Sequence, residues 1–461
     1  MISQAVLTAM LPEHLLLLGI VLLIGLEIAG RWQRFSLVVA LLIVGAAAFA
    51  AARLSFDGYA AAPFAGQFSV DPGTLLAKAV VLALALPVLL MSRDEFADGE
   101  FAILLLSSLY GVCLLQSADS FLTLFLGLEL MSLPVYALVL LAYRRPQSAE
   151  AALKYLVLGG TATATFLMGA SLLYGATGSL AIDSFARALG AGDPMARAAV
   201  VLVLLAFFLK GAIVPFHTWA PDAYEGASVP VTAYMATIVK AGVLLAVVRL
   251  FAAATVASPL LEVLAVLPLL SIVWGNLAAM RQPSLRRMIA YSSIAHAGYL
   301  FYALLGNAAG RLQAVTFYLL AYGLLNLLAF AALPAAADDQ QRDRLDNLKG
   351  LFHRAPFAAL MIGVAMLSLA GLPPFPGFIA KFLIFKNVMA AGHTTYAVLG
   401  LVGSYLGIYF YLRVIQLMFM SPQAPVAAEA RSGRLALGAS LACVSAAILL
   451  AVFPGWLMAR F

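Results

Sequence analysis

The chain has 461 residues and a formal net charge of +6, with 64% hydrophobic and only 10% charged residues. Because soluble proteins carry roughly a quarter charged residues, so few charges could not cover a surface exposed to water, which excludes a soluble enzyme and indicates an integral membrane protein. The excess of arginine does not indicate nucleic-acid binding, since the arginines are scattered between apolar runs, and the widely separated Cys113 and Cys443 exclude a disulfide framework or an iron–sulfur ligand set.

Apolar runs long enough to cross a bilayer, which takes about 20 residues, predict about fourteen transmembrane helices. In chain order the runs lie near 15–28, 35–52, 75–91, 101–115, 121–143, 151–174, 198–214, 229–251, 260–280, 288–305, 312–333, 357–388, 396–420 and 435–458. The connections are too short for a soluble domain, so residues 1–461 are predicted to form one polytopic, all-α membrane domain. The first run follows Glu13 and His14 rather than a basic segment, which favours a retained span over a signal peptide.

Basic residues in alternate loops predict the orientation, because cytoplasmic loops are enriched in lysine and arginine. The richer set comprises Arg31, Arg34, Arg93, Arg144, Arg145, Arg281, Arg286, Arg287, Arg342, Arg344, Lys349, Arg354, Arg431 and Arg434. The poorer set comprises Arg53, Arg187, Arg197, Arg311 and Arg460. The first set is therefore predicted to be cytoplasmic, with both termini on the outer side, as an even number of spans requires.

Prolines interrupt two of the apolar runs, at Phe207–His217 and at Ala370–Lys381. Proline removes a backbone donor and clashes with the preceding turn, so each helix is predicted to break there. Broken backbone at membrane depth is tolerated where it is buried in protein or lines a polar cavity. One broken helix in each half favours a transporter with two inverted five-helix repeats, near residues 101–252 and 259–420, with flanking helices at each end.

Six of the seven lysines lie within apolar spans or at their edges, whereas arginine lies almost wholly in loops. A charge at the bilayer centre costs about 3 kcal/mol on insertion scales, and a buried lysine, unlike arginine, can release its proton at ordinary pH. Lys210, Lys240 and Lys381 are therefore predicted to carry protons. A structural ion pair or a snorkelling side chain is the alternative for each.

Three further lysines lie closer to the ends of their spans. Lys154 is a turn away from a predicted cytoplasmic loop, so snorkelling competes there with a role in proton transfer. Lys78 lies near an outer end and is expected to snorkel, and the same expectation holds for Lys386.

Glu129 is flanked by apolar residues over nearly a full span, so a carboxylate there requires a cationic partner, for which we predict Lys210. Such a pair can act as a proton switch or as a purely structural ion pair. His217, next to the first break, and His296, inside a span, can relay protons near neutral pH, although a core histidine satisfied by a neighbour is the alternative. No metal-ligand cluster, glycine-rich dinucleotide turn or phosphate-binding loop accompanies these residues, so no cofactor or metal is expected on this chain.

Several motifs resemble those of the antiporter-like membrane subunits of respiratory complex I, the proton-pumping NADH:quinone oxidoreductase. They are Gly127–Tyr136 (GLELMSLPVY), Glu150–Leu158 (EAALKYLVL), Val214–Gly226 (VPFHTWAPDAYEG), Arg287–Tyr299 (RMIAYSSIAHAGY) and Ser368–Phe382 (SLAGLPPFPGFIAKF). Within that family the chain looks most like the subunit N branch. One departure is Pro376 in the second break, where relatives usually have a small or polar pair before the glycine.

The resemblance implies fourteen helices with two inverted repeats and a polar axis along the membrane midplane. It implies that Glu129 and Lys210 form an interacting pair, with Lys154 near that pair. It further implies that Lys240 and His296 continue the central axis and that Lys381 lies in the second half-channel. It also implies a bacterial inner-membrane location, other membrane-arm subunits as partners, including a second antiporter-like subunit, and NADH, FMN, iron–sulfur clusters and quinone on those partner subunits. There are three alternatives: a subunit of a multi-subunit Na⁺/H⁺ antiporter, a subunit of a membrane-bound hydrogenase, and a purely structural scaffold.

Overall fold

The structure, a computed structural model, describes residues 4–30, 35–93, 95–96, 99–142, 145–252, 259–334, 342–422 and 433–459. Five arginines used to predict the orientation lie outside the described residues: Arg31, Arg34, Arg144, Arg431 and Arg460.

Helices dominate the described residues. The first half contains α1 (Gln4–Ala9), α2 (Leu11–Ala29), α3 (Ser36–Phe56), α4 (Pro72–Ser92), α5 (Glu100–Gln116), α6 (Phe121–Leu140), α7 (Pro146–Thr177), α8 (Asp183–Gly190), α9 (Pro194–Gly211), α10 (Trp219–Gly226), α11 (Val229–Tyr234) and α12 (Lys240–Leu250). The second half contains α13 (Pro259–Ala279), α14 (Leu285–Tyr302), α15 (Ala308–Ala331), α16 (Leu351–Arg354), α17 (Pro356–Ala370), α18 (Pro376–Ala390), α19 (Thr394–Met420), α20 (Arg434–Val452) and α21 (Pro454–Met458).

Short elements complete this list. A π-helical turn (Met235–Val239) joins α11 to α12, and 3₁₀ turns lie at Ala303–Leu305 and Leu345–Leu348. The strands β1 (Ala61–Phe64) and β2 (Phe68–Val70) form an antiparallel hairpin between α3 and α4, which the sequence analysis did not predict.

Every predicted apolar run contains a helix, and the class of helical multi-pass membrane protein is confirmed. Within the described residues, 11 helices are long and apolar enough to cross a membrane. Shorter apolar helices, Glu100–Gln116, Ala265–Ala279 and Pro356–Ala370, occupy three of the other predicted spans. The number of fourteen crossings and the two inverted repeats stay predictions.

The spans that carry Lys240 and His296 lie at the centre of the bundle, together with α15. The most apolar stretch of Val229–Leu250 is 100% buried, and those of Leu285–Leu305 and Ala308–Ala331 are 94% buried. By contrast, that of Ser36–Phe56 is only 22% buried, so it lies at the periphery. Lys240 and His296 therefore lie at the core of the molecule, on helices that are almost entirely enclosed by others.

Both predicted helix breaks are present. Helix α9 ends at Gly211, and Ala212 adopts a left-handed conformation with φ 58° before the Val214–Pro215 peptide. Helix α17 ends at Ala370, and Gly371 adopts the same conformation with φ 84° before Pro374. A left-handed residue after the last turn is a common way to end a helix. In both breaks, therefore, a residue in the left-handed conformation ends the helix, although the two sequences differ.

The additional proline of the second break is accommodated without disturbing the following helix. Pro376 is the first residue of α18, a position where the missing backbone N–H has no partner to lose. The next residue, Gly377, packs so tightly that an added β-carbon would lie 1.8 Å from the Ser368 carbonyl oxygen. Helix α18 consequently begins close to α17 and carries Lys381 back towards the break.

Candidate functional site

Glu129 and Lys210 form an ion pair between α6 and α9. The Lys210 Nζ lies 3.6 Å from Glu129 Oε1, and the exposed fractions of the two side chains are 5% and 24%. Lys210 is the penultimate residue of α9, directly before the first break. The negative end of that helix dipole therefore adds to the attraction of the carboxylate for the ammonium.

Hydroxyl groups complete the surroundings of this pair. Thr163 of α7 donates a hydrogen bond of 2.5 Å to Glu129 Oε1, while Lys210 donates to Ser132 Oγ at 3.1 Å and to the Tyr136 hydroxyl at 3.4 Å. Residues 129, 132 and 136 lie on one face of α6 because they are three and four positions apart. That spacing is a signal in the sequence from which Ser132 and Tyr136 could have been identified.

Lys240 follows the π-helical turn and is buried among neutral groups. Its Nζ donates to both the backbone carbonyl and the hydroxyl of Ser293 on α14, and the Tyr322 ring centroid lies 5.9 Å away. The Ser293 hydroxyl in turn lies 3.3 Å from the Tyr224 hydroxyl. No carboxylate pairs with Lys240 among the described residues, so an ammonium here has only dipoles and a ring face to stabilise it.

Lys381 reaches back across the second break. Its Nζ donates to the carbonyl oxygen of Ala370 at 3.0 Å and to Ser404 Oγ at 2.9 Å. Ala370 is the last residue of α17, so its carbonyl belongs to the unsatisfied end of that helix. The Tyr299 ring centroid lies 5.3 Å from the same Nζ.

His296 links three helices near the middle of the second half. Its Nδ1 lies 2.8 Å from the Tyr318 hydroxyl on α15 and its Nε2 lies 3.1 Å from the Tyr411 hydroxyl on α19. Tyr411 also bonds to Ser292. Lys240 and Lys381 both act electrostatically on this imidazole. These contacts bring the two lysines and His296 into one polar region, whereas the group around Lys210 shares no hydrogen-bond partner with it among the described side chains.

Lys154 lies outside the row of buried lysines that Lys210, Lys240 and Lys381 form. Its side chain is 44% exposed and forms ion pairs with Glu150 at 2.6 Å and Asp222 at 2.7 Å. Thr163, which contacts Glu129, is nine residues further along α7, about 13 Å at the usual helical rise. Acidic residues near the start of α7 and on α10 thus hold its ammonium, which fits the snorkelling alternative. Its position near the Glu129–Lys210 pair and its role in proton transfer stay predictions.

Lys154 lines a charged cavity of about 370 Å³ at the ends of α7, α10 and α14. Its charged lining comprises Arg145, Glu150, Lys154, Asp222, Glu225, Arg286, Arg287, Asp343 and Arg344. Burial and the neighbouring Arg286 lower the pKa of Arg145 to about 10, so its guanidinium remains charged at neutral pH. Four arginines predicted to be cytoplasmic thus lie together at one end of the bundle.

His217 lies at the first break but contacts none of the lysines through a described hydrogen bond. Its Nε2 accepts a hydrogen bond of 3.0 Å from the indole N–H of Trp274, a half-exposed side chain on α13. Lys386 is exposed on α18, in agreement with the expectation that it snorkels.

The expectation for Lys78 is wrong. Its side chain is fully buried and forms an ion pair of 2.5 Å with Glu13, which is also fully buried. The sequence pattern gave no signal for this pair, because Glu13 precedes the first apolar run and the two residues lie on α2 and α4.

Comparison with known proteins covers almost the whole chain. Residues 118–407 match the family described as "NADH:quinone oxidoreductase/Mrp antiporter, TM". NADH-quinone oxidoreductase subunit N of Pelobacter propionicus is 40% identical over 414 residues, which are 89% of each chain. A chain of respiratory complex I from Thermus thermophilus is 37% identical with a TM-score of 0.83, covering 97% of this chain and 98% of that one.

A second solved structure shares the fold at lower identity. A chain of the Mrp complex from Dietzia sp. DQ12-45-1b has a TM-score of 0.84 and 23% identity, covering 98% of this chain and 96% of that chain. This likeness concerns the fold alone. All seven residues predicted for proton transfer lie within the stretch matched by the family.

Proposed function

The chain belongs to the NADH:quinone oxidoreductase/Mrp antiporter family, and we propose that it is the antiporter-like subunit N of a bacterial NADH-quinone oxidoreductase and translocates protons along its buried lysines. The name comes from relatives that are about as long as this chain and 40% identical to it. The observation that carries the role in proton transfer is the burial of Lys210, Lys240 and Lys381 in helices from both halves of the molecule.

Proton transfer along this row uses the amines of the lysines together with the hydroxyl groups that each of them contacts. A proton on Lys240 has Ser293 as its acceptor, and His296 connects the neighbouring tyrosines of α15 and α19. The Tyr322 hydroxyl, buried on α15, lies close to Ser293 and Asn326, but neither it nor Asn326 Oδ1 reaches hydrogen-bond geometry with a described residue. Buried polar atoms of this kind are usual sites for internal water, which would bridge the distance between the polar groups.

The Glu129–Lys210 pair is the part of the row that can respond to a neighbour. The charge of Glu129 stabilises the ammonium of Lys210, so any change in the protonation of Glu129 alters the affinity of Lys210 for its proton. A change in Lys210 then acts on the next lysine through the low-dielectric interior. Quinone reduction elsewhere in the assembly would thus be coupled to proton transfer in this chain through successive changes in the charge of neighbouring side chains.

The redox chemistry belongs to partner subunits in this proposal. Among the described residues no group of three or more histidine, cysteine, aspartate or glutamate side chains could hold a metal ion. NADH, FMN, iron–sulfur clusters and quinone are assigned to those partners. This chain contributes titratable side chains, and the oxidoreductase supplies the energy that moves protons between them.

The surface around Glu129 fits a neighbouring membrane subunit. Glu129 is 24% exposed on a helix whose outer face presents Leu126, Leu130 and Leu133. A partly exposed carboxylate is costly in contact with lipid, so a second antiporter-like subunit that covers it explains this face of α6. In the proposed location, the bacterial inner membrane, the charged cavity faces the cytoplasm and both termini face the outer side.

A Na⁺/H⁺ antiporter subunit is the second candidate, because the same fold occurs in the Mrp complex. A membrane-bound hydrogenase subunit would use the same lysines. Purification of the native assembly separates these functions. NADH-oxidising subunits would support the proposal, whereas antiporter subunits or nickel–iron hydrogenase subunits in their place would refute it.

Replacement of Lys210 by methionine tests the role of the buried row. Methionine keeps the length of the side chain and removes the amine, so we expect assembled enzyme with strongly reduced proton pumping and coupled NADH oxidation. Lys386→Met is the matched control, since Lys386 is exposed and its loss should leave both activities unchanged. Normal pumping by the assembled Lys210→Met enzyme would refute the assignment.

A further inference from the structure

A second buried ion pair lies outside the row of lysines described above. Glu13 of α2 and Lys78 of α4 are separated by 2.5 Å between Oε1 and Nζ, and both side chains are 0% exposed. Both residues precede the stretch that matches the family, which begins at residue 118. The proposed path through Lys210, Lys240 and Lys381 does not use this pair.

The pair lies between three helices and the β-hairpin. Helices α2 and α5 run antiparallel, because Glu27 contacts the backbone N–H of Gly99 and an added β-carbon at Gly19 would meet Leu106. In this register Glu13 lies level with the C-terminal part of α5. The ring centroid of Phe68, in β2, lies 4.9 Å from the ammonium of Lys78. An aromatic ring and apolar helices therefore enclose both charges.

One oxygen of the buried carboxylate has no protein partner. Glu13 Oε2 is buried and forms no hydrogen bond with any described residue. His14 Nε2 on α2, both amide atoms of Gln116 and the Ser117 hydroxyl at the end of α5 are likewise buried without partners. A carboxylate oxygen left bare in an apolar interior is strongly unfavourable. A water molecule or a proton on Oε2 removes this cost. Ser117 lies beside the β-hairpin that covers Lys78, since its carbonyl accepts from the backbone N–H of Ser69.

Few other titratable groups lie close to the pair. Tyr110 and Cys113 of α5 interact electrostatically with Glu13, and His14 is its neighbour in sequence. On the helices packed against α2 and α4, Glu100 is exposed at the start of α5 and the Tyr234 hydroxyl of α11 donates to Ser108. Three arginines have partners elsewhere: Arg53 with Asp57, Arg249 with Asp71 and Asp119, and Arg311 with the carbonyls of Phe251 and Gly306. Helix α20 carries a single charged residue, Arg434, at its first position.

We propose that Glu13 and Lys78 form a hydrated site that binds and releases a proton, separate from the central row of lysines. Lys78 remains bound to Oε1, and a proton delivered by internal water forms an O–H bond at the free Oε2. Release reverses the step and returns the proton to that water. The alternative is a static ion pair that only fastens α2 to α4. This site does not depend on whether the chain pumps protons.

Infrared difference spectroscopy on the purified complex, recorded between two pH values on either side of neutral, distinguishes the two roles. A carboxyl group that titrates within the protein gives a C=O stretching band that shifts to lower frequency in D₂O. We expect this band in the unmodified complex and its loss in Glu13→Gln. Asp183→Asn is the control, because Asp183 is an exposed carboxylate paired with Arg187 and lies on α8, outside the proposed site.

A difference spectrum of Glu13→Gln identical to that of the unmodified complex would overturn the proposal and leave the static ion pair. If Glu13→Gln fails to assemble, the double variant with Lys78→Met takes its place. Replacing both charged partners by neutral groups of similar volume is usually tolerated, since no charge is left unpaired. The double variant should lack the same carboxyl band, and a band that persists would refute the site as well.

Discussion

Replacing Glu129 by glutamine removes a negative charge next to Lys210 and changes the volume of the side chain little. The separation of 3.6 Å between the charged atoms corresponds to a gross Coulomb attraction of about 4–5 kcal/mol at an effective dielectric constant of about 20. Since about 1.4 kcal/mol is a factor of ten in rate, loss of a third of this attraction would lower the rate of proton translocation roughly tenfold. We therefore expect Glu129→Gln to reduce pumping at least tenfold.

The assay is NADH-driven proton translocation in membrane vesicles, divided by the amount of assembled enzyme. Glu262→Gln is the matched control, because Glu262 is an exposed carboxylate in the first turn of α13 and its loss should have no effect. Assembled Glu129→Gln enzyme that translocates protons at the rate of the unmodified enzyme would show that the ion pair has only a structural role.

Thr163 provides a graded form of the same test. Its hydroxyl donates to the carboxylate of Glu129 at 2.5 Å, and a hydrogen bond to a charged group is worth about 1.5–3 kcal/mol. Thr163→Val should lower pumping less than Glu129→Gln does, whereas Thr163→Ser, which keeps the hydroxyl, should retain it. Equal activities of the valine and serine variants would contradict this contribution.

Two other regions give predictions of a different kind. Gly371→Ala should lower pumping, because the added β-carbon would lie 3.0 Å from Lys381 Nζ. Gly392→Ala is the control and should pump normally, since Gly392 has a similar φ of 89° but no atom within 4 Å of the added β-carbon. Equal losses of pumping in the two variants would indicate backbone strain alone. Asp343→Asn should destabilise the protein by about 3–5 kcal/mol in thermal denaturation, because it removes the carboxylate that neutralises the buried guanidinium of Arg286. Burial opposes ionisation of Asp343, but attraction to Arg286 outweighs it and holds the pKa of Asp343 below 3.8. The greater stability of the unmodified protein should therefore be complete above pH 3.8 and should disappear as the pH falls through the lower pKa of the folded state. An advantage that persists at still lower pH would contradict this reasoning.

Much of the fold could be predicted from the sequence because lipid imposes simple rules on it. A span must be apolar for about 20 residues, so helix α6 and its neighbours are visible as runs. Proline cannot continue a helix, so the breaks after Gly211 and Ala370 appear where the sequence places them. The pairing of Glu129 with a lysine also follows from the cost of an isolated charge at this depth.

The hydrogen-bond partners of the lysines could be predicted only in part. Ser132 and Tyr136 share a face of α6 with Glu129, which their spacing indicates. Ser293 lies on a helix distant in sequence from its partner Lys240, and Tyr411 lies on a helix distant in sequence from its partner His296. No local pattern indicates which of two remote helices will meet, since that depends on how the whole bundle packs.

The amino-acid sequence by itself determined that the chain spans a membrane, where two helices break and which charged groups are costly at that depth, because hydropathy and backbone sterics are local properties. Only the tertiary structure decided which of those charges are actually buried. Lys78 is enclosed because α2 and the β-hairpin cover it, and Lys154 is half exposed because acidic residues of α7 and α10 hold it at a cavity mouth. Burial of a side chain is set by its neighbours in space, and these neighbours come from parts of the chain that its own sequence context does not specify.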